Sequence, residues 1–127
     1  MGKRLLVAED QAIIRKLIRM TLQIAGHEVF EVDNGLDAVA QARALRPDLV
    51  LLDVMMPGEI DGIEACRRLR GDPQLQGMPI VMLSAKGQVA DQQAGMEAGA
   101  NEYVVKPFEP NHLVRVVARW TDGSGSG

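Results

Sequence analysis

Cysteine occurs once in the 127 residues, at Cys66, so the chain can hold neither an intrachain disulfide framework nor a multi-cysteine zinc site. Histidine occurs twice, at His27 and His112, and neither has a second ligand spaced for a metal. No apolar run approaches the roughly 18–20 residues that span a bilayer, which argues against a membrane partner. The opening Met1-Gly2-Lys3-Arg4 is followed by only four apolar residues, too few for a secretory signal. An excess of basic charge is lacking as well. Fourteen basic and 17 acidic side chains leave a net charge of −3. Direct nucleic-acid binding, which normally needs a basic patch, is therefore not expected. What is present is ordinary globular composition, 46% hydrophobic and 24% charged, which rules out disorder as the main reading. The expectation is a soluble, cytoplasmic, single domain over residues 1–122. Residues 123–127, Gly-Ser-Gly-Ser-Gly, have flexible-linker composition and are set aside as a tail or linker stub.

Two periods alternate along the chain. Short β-rich runs fall at Leu5–Ala8, Val29–Val32, Leu49–Leu52, Ile80–Leu83 and Tyr103–Val105. Four are continuously apolar, as strands buried on both faces of a parallel sheet should be. Glu31 marks the second run as an edge strand. Between the runs the spacing is helical. Ile14, Leu17, Ile18, Thr21 and Leu22 predict one buried stripe. Further helices are expected over Leu36–Arg46, Ile63–Arg70, about Gln88–Ala98, and a last one with Leu113, Val116, Val117 and Trp120 on one face. Five strands alternating with five helices make a doubly wound α/β sandwich.

Ligands of such sheets bind outside the carboxyl ends of the strands. The first strand ends in Glu9-Asp10 and the third in Asp53. The fourth ends in Ser84-Ala85 and the fifth in Lys106-Pro107-Phe108. Three carboxylates brought together repel unless a cation binds. With only oxygen ligands at these ends, Mg²⁺ or Mn²⁺ is expected rather than zinc. Mg²⁺ keeps waters and accepts a phosphate oxygen, which suits phosphoryl chemistry. Lys106 supplies a point charge for a phosphoryl oxygen. Asp53, directly after a buried strand, is placed as a carboxylate nucleophile. Each residue alone has an ordinary reading: a helix cap, a turn, a first-turn charge. The combination at adjacent strand ends is what selects.

The run Asp53-Val54-Met55-Met56-Pro57-Gly58 followed by Asp61-Gly62 resembles the phosphorylation-site signature of response regulator receiver domains. Gly99 to Phe108 resembles their fifth-strand signature, and the similarity covers about residues 3–121. The resemblance implies a flavodoxin-like (βα)5 fold with strand order 2-1-3-4-5 and a phosphorylation-dependent switch of a two-component phosphorelay. Asp53 would be the phospho-acceptor, and Asp10 and Glu9 would hold Mg²⁺ directly or through water. The Met55 backbone carbonyl would be a further ligand. Lys106 would contact the phosphoryl group, and Pro107 would follow a cis peptide bond. Ser84 would be the hydroxyl switch and Tyr103 the aromatic switch, with output on the face built from the fourth helix, fifth strand and fifth helix. The side chains of Met55 and Lys86 would flank the water that attacks the phosphoryl group. Implied partners are a histidine kinase or histidine phosphotransfer protein, docking near the first helix, and an unidentified effector. The protein would be a monomer or a phosphorylation-dependent dimer. It would catalyse its own phosphorylation and dephosphorylation without a separate turnover substrate. Two departures stand out: receivers more commonly carry two aspartates where this chain has Glu9-Asp10, and one extra residue lies within Gly58-Glu59-Ile60.

Two rivals are weaker. An Mg²⁺-dependent phosphohydrolase usually has a second carboxylate two residues after its nucleophile, where this chain has Met55. A flavodoxin-type FMN carrier needs a hydroxyl-rich loop after the first strand, where Glu9-Asp10 would repel phosphate. Cys66 reads as core filler, and Arg67, Arg68 and Arg70 read as a solvated helix face.

Overall fold

Residues 2–122 are described by the computed structural model; the Gly/Ser tail expected at 123–127 lies outside them. The apolar runs form β1 (Arg4–Ala8), β2 (Glu28–Val32), β3 (Leu49–Asp53), β4 (Ile80–Ala85) and β5 (Glu102–Lys106). All pair in parallel, in the order β2-β1-β3-β4-β5. The helices are α1 (Ala12–Ile24), α2 (Gly35–Leu45), α3 (Gly62–Arg70), α4 (Val89–Glu97) and α5 (Pro110–Thr121), with a 3-10 turn at Pro73–Leu75. This is the doubly wound sandwich expected.

Alternate residues of the central strands point to opposite faces, and each face is covered. Leu5, Val7, Leu51 and Leu83 pack against Ile18 and Leu22 of α1 and Leu113 and Val117 of α5. Leu6, Leu52 and Met82 pack against Ala38 of α2 and Cys66 and Leu69 of α3. Burial on both sides is why β1, β3 and β4 tolerate no polar residue in their middles. Glu31 sits on the edge strand β2, where Arg15 and Arg19 of α1 pair with it at 3.4 and 2.9 Å.

The α1 stripe is narrower than its spacing suggests. Ile18 and Leu22 are fully buried, but Leu17 is 46% exposed. Leu17 lies about 100° around the helix from Ile18, at the margin of the stripe, and a helix against one layer buries only the middle. Arg70 also departs from expectation. It is no solvated charge; its guanidinium turns inward and bonds to backbone carbonyls. Cys66 is fully buried, as a core filler should be. No helix among the described residues is long and apolar enough to cross a membrane.

Candidate functional site

The carboxyl ends of β1 and β3 lie side by side, with Ala8 paired to Leu52. Glu9 and Asp53 therefore emerge next to each other. Glu9 is fully buried and Asp53 is 3% exposed, whereas Asp10 is exposed. Carboxylate oxygens from Glu9, Asp10 and Asp53 lie within 4.8 Å of one another. The Lys106 ammonium crosses from the end of β5 to donate to Glu9 Oε1 at 3.1 Å and to Asp53 Oδ2 at 3.0 Å. The remaining oxygens are also engaged. Glu9 Oε2 accepts from the Gln11 backbone N–H at 3.1 Å, and Asp53 Oδ1 from that of Met55 at 3.1 Å.

The charges do not balance. Three carboxylates, two of them buried, face one ammonium. Burial first, and then the neighbouring Asp53 carboxylate, pushes the Glu9 carboxyl up to about 7. Burial disfavours the Lys106 ammonium too, but the bonds and charges of Asp53 and Glu9 outweigh it and hold its pKa above the ordinary value. A surplus of anionic oxygen, with no nitrogen or sulfur ligand among the three acidic groups, fits a hard divalent cation.

Local sequence explains why the pocket holds its shape. Asp61 caps α3 by accepting from the Glu64 N–H at 2.9 Å. Gly62, the first residue of that helix, lies so close to the Asp53 carbonyl that a Cβ would overlap it. The helix start is thereby pressed against the strand end that carries the Asp53 carboxylate. Ile60 of the β3–α3 loop turns inward to 8% exposure and lies against Gly35 at the start of α2.

The other expected residues differ in depth. Ser84 is buried, donating from Oγ to the Ala85 carbonyl at 3.3 Å. Tyr103 is 39% exposed and lines a groove of about 520 Å³ with Val89, Gln92 and Met96. Lys106–Pro107 is a cis peptide. Met55 is 65% exposed and Lys86 is exposed, both with side chains at the surface. Gln11 and Gln92, whose side chain reaches Ser84, escaped the sequence reading. Gly62 belongs to the Asp61-Gly62 signature, but its close approach to Asp53 was not foreseen; a backbone donor such as Gln11 leaves no signal.

Residues 5–118 match the family model described as response regulator receiver domain. The chain is 45% identical to the transcriptional regulatory protein ResD of Bacillus subtilis, over 87% of this chain and 45% of that protein. It is 45% identical to the DNA-binding response regulator MtrA of Mycobacterium tuberculosis, over 94% of this chain and 51% of MtrA. Among solved structures it is similar to the receiver domain of the sensor histidine kinase PA1611 from Pseudomonas aeruginosa, described with a magnesium ion coordinated in its active site cleft. The TM-score is 0.88 at 32% identity, covering 95% of this chain and 98% of that one.

These relatives correct one expectation. Nucleic acid was set aside as a partner on net charge, yet MtrA is a DNA-binding response regulator. The chain spans about half the length of the curated relatives it matches. The net charge of one segment carries no information about basic patches elsewhere in a longer protein.

Proposed function

Because the chain belongs to the response regulator receiver domain family, whose model it matches over residues 5–118, we propose that it is a phosphorylation-dependent switch with Asp53 as acceptor. The observation that carries this is the shared ammonium: Lys106 holds Glu9 and Asp53 in one buried pocket beside Asp10. Glu9, Asp10, Asp53 and the Met55 carbonyl would hold Mg²⁺. The ion supplies charge neutralisation, letting a phosphoryl group approach an acidic pocket.

An Asp53 carboxylate oxygen attacks phosphorus in a phosphohistidine of a kinase or phosphotransfer protein. The new P–O bond forms as the P–N bond breaks. The electron pair stays on that nitrogen, and the ring leaves as neutral imidazole because its other nitrogen already carries a proton. Lys106, already bonded to Asp53 Oδ2, stabilises the charge that builds on the phosphoryl oxygens. Ser84 Oγ then exchanges its bond to the Ala85 carbonyl for a phosphoryl oxygen. The space it leaves admits the Tyr103 ring, and the face of α4, β5 and α5 changes. Relatives are signalling regulators rather than turnover enzymes. ResD is a transcriptional regulatory protein and MtrA a DNA-binding response regulator, which supports an output at transcription.

The test is intact mass after incubation with acetyl phosphate. One phosphoryl adduct is expected with Mg²⁺, and none in EDTA or in Asp53→Asn. An adduct that persists in either case contradicts the assignment.

A further inference from the structure

Helix α4 is tied down at one end. The tie is Arg70, the last residue of α3, whose guanidinium makes five hydrogen bonds. Nε donates to the Gly99 carbonyl at 2.8 Å, and Nη2 to Asn101 Oδ1 at 2.7 Å. Nη1 donates to the carbonyls of Leu75, Gln76 and Met78 at 3.4, 3.2 and 2.8 Å. Asn101 Oδ1 also accepts from the Ile80 N–H at 2.8 Å. Gly99, just past the helix, has φ +113°, and a Cβ there would overlap the aliphatic stem of Arg70. One side chain thus joins α3, the 3-10 turn, the start of β4 and the α4–β5 connection.

The other end is loose. Gln88, at the N-cap, makes no side-chain cap bond, and Val89 is 58% exposed. Within α4 only Gly95 is buried, seated on Met82. Between the two ends, Gln92 Nε2 donates to Ser84 Oγ at 3.4 Å, a long bond that a small rotation of the hydroxyl would break.

We propose that α4 is a lever pivoting on the Arg70–Asn101 anchor, and that Gln92 is the positioning residue through which Ser84 moves its free half. The inference rests on the reading that a phosphoryl group on Asp53 engages Ser84. Gln92 stands about 10 Å of helix from Gly99 and Val89 about 15 Å, at 1.5 Å per residue. A displacement at Gln92 is therefore amplified about 1.4-fold at Val89. Val89 and Gln92 line the groove that also holds Tyr103, so the lever reshapes it.

Two measurements on the 127-residue chain test this. The first is amide hydrogen exchange without phosphodonor. Ala98–Asn101 should exchange about tenfold or more slowly than Gln92 and Gln93, and Arg70→Lys, which keeps the stem and loses the fork, should erase the contrast. Equal protection at both ends of wild-type α4 overturns the pivot. The second is amide shifts after treatment with acetyl phosphate and Mg²⁺. Gln92→Met, isosteric but without the donor, should label within about twofold of wild type yet lose about half or more of the shift changes over residues 89–93. Adding Ser84→Ala should then cause no loss beyond that of Ser84→Ala alone, because both act through one link. A full α4 response in labelled Gln92→Met, or additive losses, overturns the link alone. A wild-type chain that takes no label overturns the acceptor reading and the link together, while the exchange contrast still judges the anchor.

Discussion

Lys106 Nζ lies 3.0 Å from Asp53 Oδ2, although the two residues sit on strands that are not neighbours. Strand β4 runs between them, with Leu83 paired to Asp53 and Ala85 paired to Lys106. Two inter-strand spacings come to about 9–10 Å, so a long side chain at the end of β5 has to cross the end of β4. The same ammonium bonds to Glu9 from β1, so three strands meet in one charge cluster.

Lys106→Met would leave two buried carboxylates facing each other. The variant should lose about 1–3 kcal/mol of stability in metal-free buffer, the cost of an unsatisfied buried polar group. Part of the loss should return at saturating Mg²⁺, which replaces the missing positive charge. Urea denaturation with and without Mg²⁺ measures both. An unchanged midpoint would show that the pair contributes nothing to the fold.

His27 offers a pH dependence away from the pocket. Its Nδ1 accepts from the Lys3 backbone N–H at 3.1 Å. Burial, aided by the charge of Lys3 and opposed by Asp48, lowers its pKa from 6.5. The folded state therefore binds fewer protons here than the unfolded chain does. The contribution of His27 to stability is present above pH 6.5 and is lost as pH falls through the lowered value. Glu9 slopes the opposite way, since its raised pKa makes stability fall as pH rises through about 7. The difference between wild type and His27→Gln cancels that term. It should shrink as pH drops below 6.5, read by thermal or urea unfolding at fixed pH steps; a difference that is flat with pH would contradict this.

Cys66 is fully buried, and burial pushes its thiol up to about 11. A disulfide reagent at pH 8 should leave the native chain unmodified and react stoichiometrically in denaturant. Rapid modification of the native chain would mean that the α3 face opens readily.

Much of this architecture was legible because burial leaves a local signature. The continuous apolar runs of β1, β3 and β4 and the charged Glu31 of β2 announce central strands and one edge. The apolar run of β5 misled, since β5 is the other edge strand and its Tyr103 is 39% exposed. Asp53 and Lys106 were legible because the end of a buried strand is where a polar side chain needs a purpose. Arg70 was not, because Arg67 and Arg68, in the same helix turn before it, are ordinary surface partners of Glu64. Only the folded chain brings the carbonyls of Gly99 and Met78 to the third arginine. Leu17 was misread for a related reason: spacing defines a stripe, but the neighbouring layer decides how wide a stripe is covered. Gln92 was invisible, since its partner Ser84 is set by how α4 settles on β4.

The lifetime of the phosphorylated state should be long. Met55 and Lys86, both exposed and expected from the family resemblance to flank the attacking water, offer no good acceptor to orient it. Water-orienting or general-base help typically contributes about 10²–10⁴-fold. Met55→Asn with Lys86→Glu should shorten the lifetime by about tenfold or more, followed as decay of the adduct mass after the phosphodonor is removed. Equal decay in the double variant would mean that these side chains do not set the rate.

The central claim, that Asp53 is the phosphoryl acceptor, is tested most directly by trapping the acyl phosphate. Borohydride reduces an aspartyl phosphate to homoserine, a change of residue that peptide mass spectrometry locates to one position. After treatment with acetyl phosphate and Mg²⁺, homoserine should appear at position 53 alone, and nowhere when EDTA replaces Mg²⁺. Homoserine at position 10, or no homoserine at 53 in a chain that carries the phosphoryl mass, would contradict the account.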